Sequence, residues 1–246
     1  MSYVWKLLSI QDVKARYKRS VLGPFWYTIT TILFVAGLGL VYSRLFKLNL
    51  VEYLPYLSVG IIVWTFIITL LNEGANSIIG AGHIIKQISM PLYVHVLRVV
   101  FRNFVIFMHS WVVLIPLLIW YNTLTVAGLI FSIFGLLALL YCLTPFVLLL
   151  ALLCARYRDF LPMVSSALQL LFFITPVMWQ PHQLEDLARV IHFNPFYYLI
   201  AIVREPMLNG YFPSDAMVYT LCLGSFLWIS SFIALSMSYK RIAYWL

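Results

Sequence analysis

Long apolar stretches constrain the fold of this chain more than any other feature of its sequence. A membrane span needs about 20 mostly apolar residues. Five stretches meet this requirement plainly: Phe25 to Phe46, Leu54 to Leu71, Asn103 to Trp120, Leu124 to Cys154 and Ala216 to Tyr239. A sixth, Phe160 to Trp179, is interrupted only by small polar residues and prolines. Because 63% of the residues are hydrophobic and only 10% are charged, the sequence predicts a protein that crosses a membrane several times.

The distribution of Lys and Arg predicts the orientation of these six spans. With a cytosolic N-terminus, twelve of the cations fall in cytosolic segments and four in outer segments. The four outer cations are Arg44, Lys47, Arg189 and Arg204. Cytosolic loops carry the excess of positive charge in membrane proteins, so both termini are expected in the cytosol.

The segments between the spans are too short to hold a soluble catalytic domain, which takes about 50 residues or more. We therefore expect a single membrane domain over residues 1–246. Residues 1–9 contain no apolar region followed by a cleavage site, so the first span is expected to direct insertion.

A basic segment precedes the first span and is predicted to be helical. Ser9 and Asp12 have the spacing of a capping box, which predicts a helix start at Ile10. Gly23-Pro24 is expected to end this helix. An apolar stripe follows at spacings of 3, 4 and 4, formed by Ile10, Val13, Tyr17 and Val21. The other side of the helix is expected to carry Asp12, Arg16, Lys18 and Arg19, and Lys14 is expected at the flank.

Two interpretations of this basic segment remain open. The cations are a topology signal for the first span, or residues 1–23 form an amphipathic helix in the headgroup layer. In the second case the long basic side chains reach the phosphates of anionic lipid or of a phosphate-bearing substrate.

The cytosolic loop after the second span contains a second short helical pattern. Isoleucines repeat over residues 76–89, and Gly80 and Gly82 between them weaken the helix. A short apolar-faced helix held between two spans is suited to a groove on a soluble partner. The alternative is a surface helix that packs on the spans of its own chain.

The outer segment, residues 180–215, predicts two broken helices before the last span. Leu184, Leu187, Ala188 and Ile191 have helical spacing. Phe196 to Val203 is apolar but too short to span, which predicts a re-entrant or interfacial helix. Glu205-Pro206 and Asn209-Gly210 are its expected stops. A gate at the outer mouth and an aromatic anchor in the headgroup layer both fit this pattern.

The sequence lacks the motifs of a catalytic, metal or nucleotide site. It has no Gly-x-x-x-x-Gly-Lys-Ser/Thr loop for ATP phosphates, no His-Glu-x-x-His and no clustered carboxylates. The spans contain almost no acids of the kind that proton-coupled carriers use. A transporter of this composition has to take its energy from another protein. Aromatic side chains deep in the spans, such as Trp64, are suited to stacking on sugar rings.

Four motifs in order resemble the permease subunit of type-2 ABC exporters, in the branch that exports polysaccharide and O-antigen. The first runs from Asp12 to Trp26, at the start of the first span. The second, Arg156-Tyr-Arg-Asp-Phe160, follows the fourth span, and Thr175-Pro-Val-Met178 ends the fifth. The last, Asn194-Pro-Phe196 through Arg204, lies in the outer segment.

The resemblance implies an all-α integral membrane fold with six transmembrane helices, an N-terminal amphipathic interfacial helix and short re-entrant outer helices before the last span. The working unit would be a homodimer with two separate ATPase subunits, which bind ATP and magnesium. This chain itself would bind no cofactor, metal or nucleic acid and would be no enzyme. Its substrate would be a lipid-linked glycan, typically on undecaprenyl diphosphate, carried across the bacterial inner membrane.

The same resemblance assigns residues to three sites. The cations at the lateral entrance, which would meet the diphosphate, are Lys14, Arg16, Lys18 and Arg19. The coupling helix that docks on the ATPase would use Ser77, Ile78, Ile79, His83, Ile84, Ile85 and Ile88. The outer gate would contain Asn194, Pro195, Phe196, Tyr197, Tyr198 and Arg204.

Two other function classes stay open at this point. A type-2 permease for drugs or small lipids would share the fold. A membrane-embedded lipid enzyme would need clustered acids or histidines at one membrane face, and the sequence offers only scattered candidates.

Overall fold

The prediction of an all-α protein is confirmed. The computed structural model describes residues 4–18, 25–87, 90–181, 191–239 and 241–246, and within those ranges it contains helices and no strand. The first helices are α1 (Val4–Tyr17), α2 (Phe25–Leu45), α3 (Leu50–Ala75), α4 (Ser77–Gly80), α5 (Gly82–Gln87) and α6 (Leu92–Trp120). They are followed by α7 (Val126–Arg156), α8 (Phe160–Ile174), α9 (Pro195–Asn209), α10 (Ser214–Ser238) and α11 (Ile242–Trp245).

Five helices of the described chain are long and apolar enough to cross a membrane: α2, α3, α6, α7 and α10. The predicted count of six full spans is not confirmed, because α8 has only 15 residues. At 1.5 Å per residue it is about 22 Å long, shorter than the ~30 Å hydrocarbon core. It ends where Pro176 removes a backbone donor.

Helix α6 begins at Leu92, directly after Ser89 and Pro91, which the sequence predicts as a start signal for this helix. The apolar stretch of the span itself begins only at Asn103. The additional turns contain His95, Arg98 and Arg102, which lower the hydropathy of this segment. These polar side chains face other helices of the protein, so they do not interrupt the helix.

Helix α3 is the centre of the molecule. It packs against α2, α6, α7, α8 and α9, and most of its side chains are buried. By contrast, α2 and α10 expose large apolar side chains such as Leu33 and Phe232. Lipid tails can cover such apolar surfaces. The helix backbone needs no hydrogen-bond partner there, because its hydrogen bonds are closed within each helix.

Helix α9 packs on α7 through two glycines. A Cβ atom on Gly135 would lie 2.1 Å from the carbonyl oxygen of Ile202, and one on Gly128 would lie 2.2 Å from that of Pro206. Pro206 was an expected helix stop, and that expectation is wrong, because α9 continues through it to Asn209. Since proline has no N–H to donate to the residue four positions earlier, the carbonyl of Ile202 is left to face Gly135.

The N-terminal helix, the short α4 and α5 helices and the C-terminus lie at one end of the molecule. Helix α1 packs on the first turns of α6, and Leu246 approaches Gly82. The Arg156 guanidinium, at the end of α7, lies 5.6 Å from the centroid of the Trp245 ring.

Candidate functional site

Helix α1 is already helical at Val4, so the predicted start at Ile10 and the capping box are wrong. Ser9 is buried in the middle of the helix. Its hydroxyl lies 2.5 Å from the carbonyl oxygen of Trp5 and 3.2 Å from that of Arg98 on α6. A serine hydroxyl can satisfy itself on the preceding helical turn, which explains why the pattern of a cap occurs inside a helix.

One face of α1 that contains polar residues packs on the protein. At 100° per residue, Trp5, Ser9, Asp12 and Arg16 project from one face, and this face packs on α6. The sequence placed Asp12 and Arg16 opposite the apolar stripe; in the structure Asp12 is largely buried against α6, whereas Arg16 is 45% exposed. On the opposite face Leu7 is 61% exposed and therefore available to a headgroup layer.

Asp12 joins α1 to α6 by paired hydrogen bonds. The Arg98 guanidinium donates through Nε and Nη2 to the two carboxylate oxygens of Asp12. Arg102 adds a third contact, with its Nη1 3.4 Å from Asp12 Oδ2. The Asp12 side chain is only 15% exposed, so removal of one partner alone would leave a largely buried charge without compensation.

Glu73 joins the end of α3 to the same cluster. Its carboxylate accepts hydrogen bonds from Arg102 Nη2 at 2.7 Å, Asn103 Nδ2 at 2.8 Å and Arg16 Nη1 at 3.0 Å. Helices α1, α3 and α6 are therefore tied by one charge network. Glu73 is absent from the predicted sites, although an acid at the end of a long apolar stretch is a recognisable signal.

The four cations predicted for the lateral entrance are placed differently from one another. Arg16 bonds to Glu73, whereas Lys14 and Lys18 project into solvent. Arg19 lies outside the described residues. Burial raises the pKa of neighbouring Tyr17, against the lowering influence of the Arg16 charge, so Tyr17 stays neutral beside these cations.

The predicted ATPase-docking segment forms two short helices, α4 and α5, separated at Ala81. Ser77 and Ile78 are buried in the chain itself. His83 is exposed, and the other predicted positions that the structure describes are half-buried: Ile79, Ile84 and Ile85. Ile88 lies outside the described residues. Docking on an ATPase stays a prediction.

The predicted gate residues all lie on or next to α9, which begins deep in the molecule. The Asn194 side chain caps the helix by accepting from the backbone N–H of Phe196, at 2.9 Å. It also donates to the Thr175 hydroxyl at 2.8 Å. The Phe196 ring meets the Trp64 ring edge-on at 5.6 Å, about 21 Å along α3 from its start. Pro195 occupies the first position of α9, and a re-entrant or interfacial position of this helix stays a prediction.

Arg204 is the most deeply buried charged residue of the described chain, at 1% exposure. Its Nη1 donates to the Pro176 carbonyl at 2.8 Å, and its guanidinium lies 4.0 Å from the centroid of the Tyr56 ring. Tyr56 and Tyr53 also donate to carbonyls of residues 176–179. Helices α3 and α9 thus hold the turn after α8 together.

The other predicted gate residues face a cavity of about 450 Å³, where Tyr197 and Tyr198 form part of the wall. Tyr211 lies on the opposite wall and donates to Glu205 Oε2 at 3.0 Å. Burial, followed by the nearby Glu205 carboxylate, raises the pKa of Tyr211. Aromatic rings and a carboxylate around one cavity suit a polyhydroxylated ligand.

Comparison with known proteins decides the family. The family model described as ABC-2 type transporter matches residues 3–208. The chain belongs to the ABC-2 type transporter family. Two proteins from Klebsiella pneumoniae, each named O-antigen export system permease protein RfbA, are 24% identical over 225 residues. That alignment covers 85% of this chain and 83% of each relative. A protein of the same name from Myxococcus xanthus is 25% identical over 187 residues, 72% of this chain and 68% of the relative.

A second cavity of this ABC-2 permease lies within the spans and was not found from the sequence. It has a volume of about 400 Å³ between α2, α3 and α8. Its wall is aromatic and aliphatic, with the polar Thr65 and Gln169 among the lining residues. Trp64, singled out in the sequence as a deep aromatic, is part of this wall, and its ring lies 5.8 Å from that of Phe172.

Proposed function

We propose that this ABC-2 permease exports a lipid-linked polysaccharide of the O-antigen type across the bacterial inner membrane. The observation that carries the proposal is its similarity to O-antigen export permeases over most of both chains. The aromatic cavity beside Trp64 supports it, because sugar rings stack on aromatic faces and Gln169 offers hydrogen bonds.

The working unit is a homodimer with two cytosolic ATPase subunits, which supply ATP and magnesium. Family membership and the lack of a phosphate loop in this sequence support a separate energy source. Both termini lie in the cytosol, supported by the excess of Lys and Arg on that side. The exposed surface around His83 and Lys86 is the expected docking surface of α5.

Deletion of this permease is expected to remove the polysaccharide from the cell surface. The same deletion should leave undecaprenyl-linked glycan in the cytosolic leaflet, because synthesis continues after export stops. Extraction of the lipid-linked pool measures the second effect. Absence of this build-up would contradict a glycan substrate and favour the permease for drugs or small lipids.

Assembly is tested separately by purifying the permease with the product of a neighbouring ATPase gene. Co-purification is expected both in detergent and in lipid. If the ATPase fails to bind under both conditions, the proposed partnership is wrong, whatever the substrate is.

The exposed lysines of α1 are proposed to attract the phosphates of the substrate or of anionic lipid. The double variant Lys14→Gln with Lys18→Gln is expected to lower export several-fold, since each basic residue near an anionic surface contributes about 1 kcal/mol. ATPase co-purification should not change, because α5 is left intact. The pair Arg44→Gln with Lys47→Gln, at the other end of α2, is the matched control. If the two double variants export equally, the α1 lysines serve only as a topology signal. Labelling of a cysteine introduced at the C-terminus checks that the orientation is unchanged.

A further inference from the structure

A polar cavity of about 310 Å³ lies between α1, α6 and the α4–α5 segment. A single water needs only about 10–15 Å³ of such space, so the cavity can hold a larger molecule. Its wall includes the charge network on one side, through Asp12, Arg98 and Arg102. Ser77 and His95 also line the cavity.

Buried polar groups without a hydrogen-bond partner are concentrated around this cavity. In the described part of the chain, eight buried side-chain nitrogen and oxygen atoms have no hydrogen-bond partner. Four of them belong to the cavity wall: Ser77 Oγ, both ring nitrogens of His95 and Arg102 Nε. His95 is only 1% exposed. Burying a polar group without a partner is costly, so their clustering points to a ligand that supplies the missing bonds.

The charges and donors around the cavity define the chemistry of this ligand. Three arginines (Arg16, Arg98 and Arg102) surround two carboxylates, which leaves one net positive charge before His95 is considered. The carboxylates of Asp12 and Glu73 are already occupied by arginine and asparagine donors. What remains free is the Arg102 Nε–H, the Ser77 hydroxyl and an N–H of His95, all of which can donate.

We propose that this cavity binds a phosphate group. An oxyanion accepts several hydrogen bonds at once, and guanidinium groups match phosphate oxygens better than other donors do. The phosphate belongs either to a lipid headgroup or to a soluble phosphate compound. Bound there, it connects Ser77 of α4 to His95 and Arg102 of α6, so it stabilises the segment proposed to meet the ATPase. The site rests on the geometry of the cavity and does not depend on which substrate is exported.

The test uses the full chain in nanodiscs of phosphatidylcholine. In one arm, inorganic phosphate or diphosphate is titrated against chloride at equal ionic strength, and the melting temperature is measured. In the other arm, phosphatidic acid replaces part of the phosphatidylcholine. A saturable rise in the first arm identifies a soluble phosphate as the ligand, and a rise only in the second identifies a lipid headgroup. No rise in either arm overturns the proposal.

Two variants place the effect in the cavity. Ser77→Ala and His95→Phe each remove donors that have no partner in the unoccupied protein, so the unliganded melting temperature is expected to hold or rise. Half-maximal stabilisation should require about tenfold more phosphate or phosphatidic acid, since a hydrogen bond to a charged group is lost.

The matched control is Ser110→Ala, which removes another buried hydroxyl without a partner, farther along α6 and away from the cavity. It should titrate as the unmodified protein does. If Ser77→Ala titrates like Ser110→Ala, the phosphate binds elsewhere and the proposal is wrong. Ser77→Ala decides the matter even if the larger His95→Phe change prevents folding.

Discussion

Gly135→Ala is expected to separate α9 from α7, to lower the melting temperature strongly and to abolish export. The new methyl group would lie 2.1 Å from the Ile202 carbonyl oxygen, a backbone atom that cannot rotate away. Overpacking costs typically about 1–3 kcal/mol where side chains can adjust, and the cost is higher against a helix backbone. The helix propensity gained by replacing glycine is only about 1 kcal/mol, so the clash dominates. Thermal unfolding in detergent and surface polysaccharide measure the two effects.

Gly37→Ala is the control for this prediction, because a Cβ atom on Gly37 of α2 meets no atom within 4 Å. It should leave export unchanged and hold or slightly raise the melting temperature. Gly128→Ala, whose Cβ would lie 2.2 Å from the Pro206 carbonyl oxygen, should reproduce the loss. A stable and active Gly135→Ala protein would show that α9 is not held on α7 as the structure describes.

The spans were predictable from sequence because the physics that determines them is local. An apolar stretch of sufficient length specifies a helix in lipid without reference to its neighbours. The presence of a short helix at α9 was predictable from its apolar residues, although the helix extends beyond the expected stop at Pro206. Its end at Gly210, which has a φ of 72°, follows from the freedom of glycine in the left-handed region.

The contacts of the charge network were not predictable, because each of them joins residues that are distant in sequence. Arg98 and Arg102 lower the hydropathy of α6, yet Asp12 and Glu73 neutralise them from other helices. Ser9 imitates a helix cap in sequence, although its hydroxyl bonds within α1 and to α6. For the same reason His95, Glu73 and the two arginines were absent from the predicted sites.

The sequence singled out Arg204, but it did not predict that the side chain of this residue is buried. The sequence counted it among the outer charges and assigned it to a gate, whereas the structure buries it against Tyr56 and the turn after α8. A lone cation is expected to avoid such a place. The Pro176 carbonyl and the aromatic face together replace part of its hydration.

Arg204→Met is expected to reduce export to about a tenth or less while the protein stays folded. No carboxylate lies within 4.0 Å of Arg204 among the described residues, so its removal leaves no unpaired buried charge. Methionine fills much of the space, and the Tyr56 hydroxyl still donates to the Pro176 carbonyl at 3.1 Å. What is lost is the charge-assisted link between α9 and the turn after α8, of about 1.5–3 kcal/mol. If this link positions the outer gate, a loss of that size slows opening or closing by tenfold or more.

Three measurements on purified and cellular protein distinguish this gating role from a purely structural one. Arg204→Lys keeps the charge and one donor, so it should recover part of the export that Arg204→Met loses. The melting temperature should fall by only a few degrees in Arg204→Met, because the lost link is partly offset by no longer burying a charge. ATPase co-purification should remain unchanged in both variants, because the docking segment lies at the other end of α3. A large fall in the melting temperature of Arg204→Met would make Arg204 a structural anchor. Full export by a folded Arg204→Met protein would instead exclude Arg204 from the proposed gate, and the tyrosines of α9 that line the 450 Å³ cavity would remain its candidates.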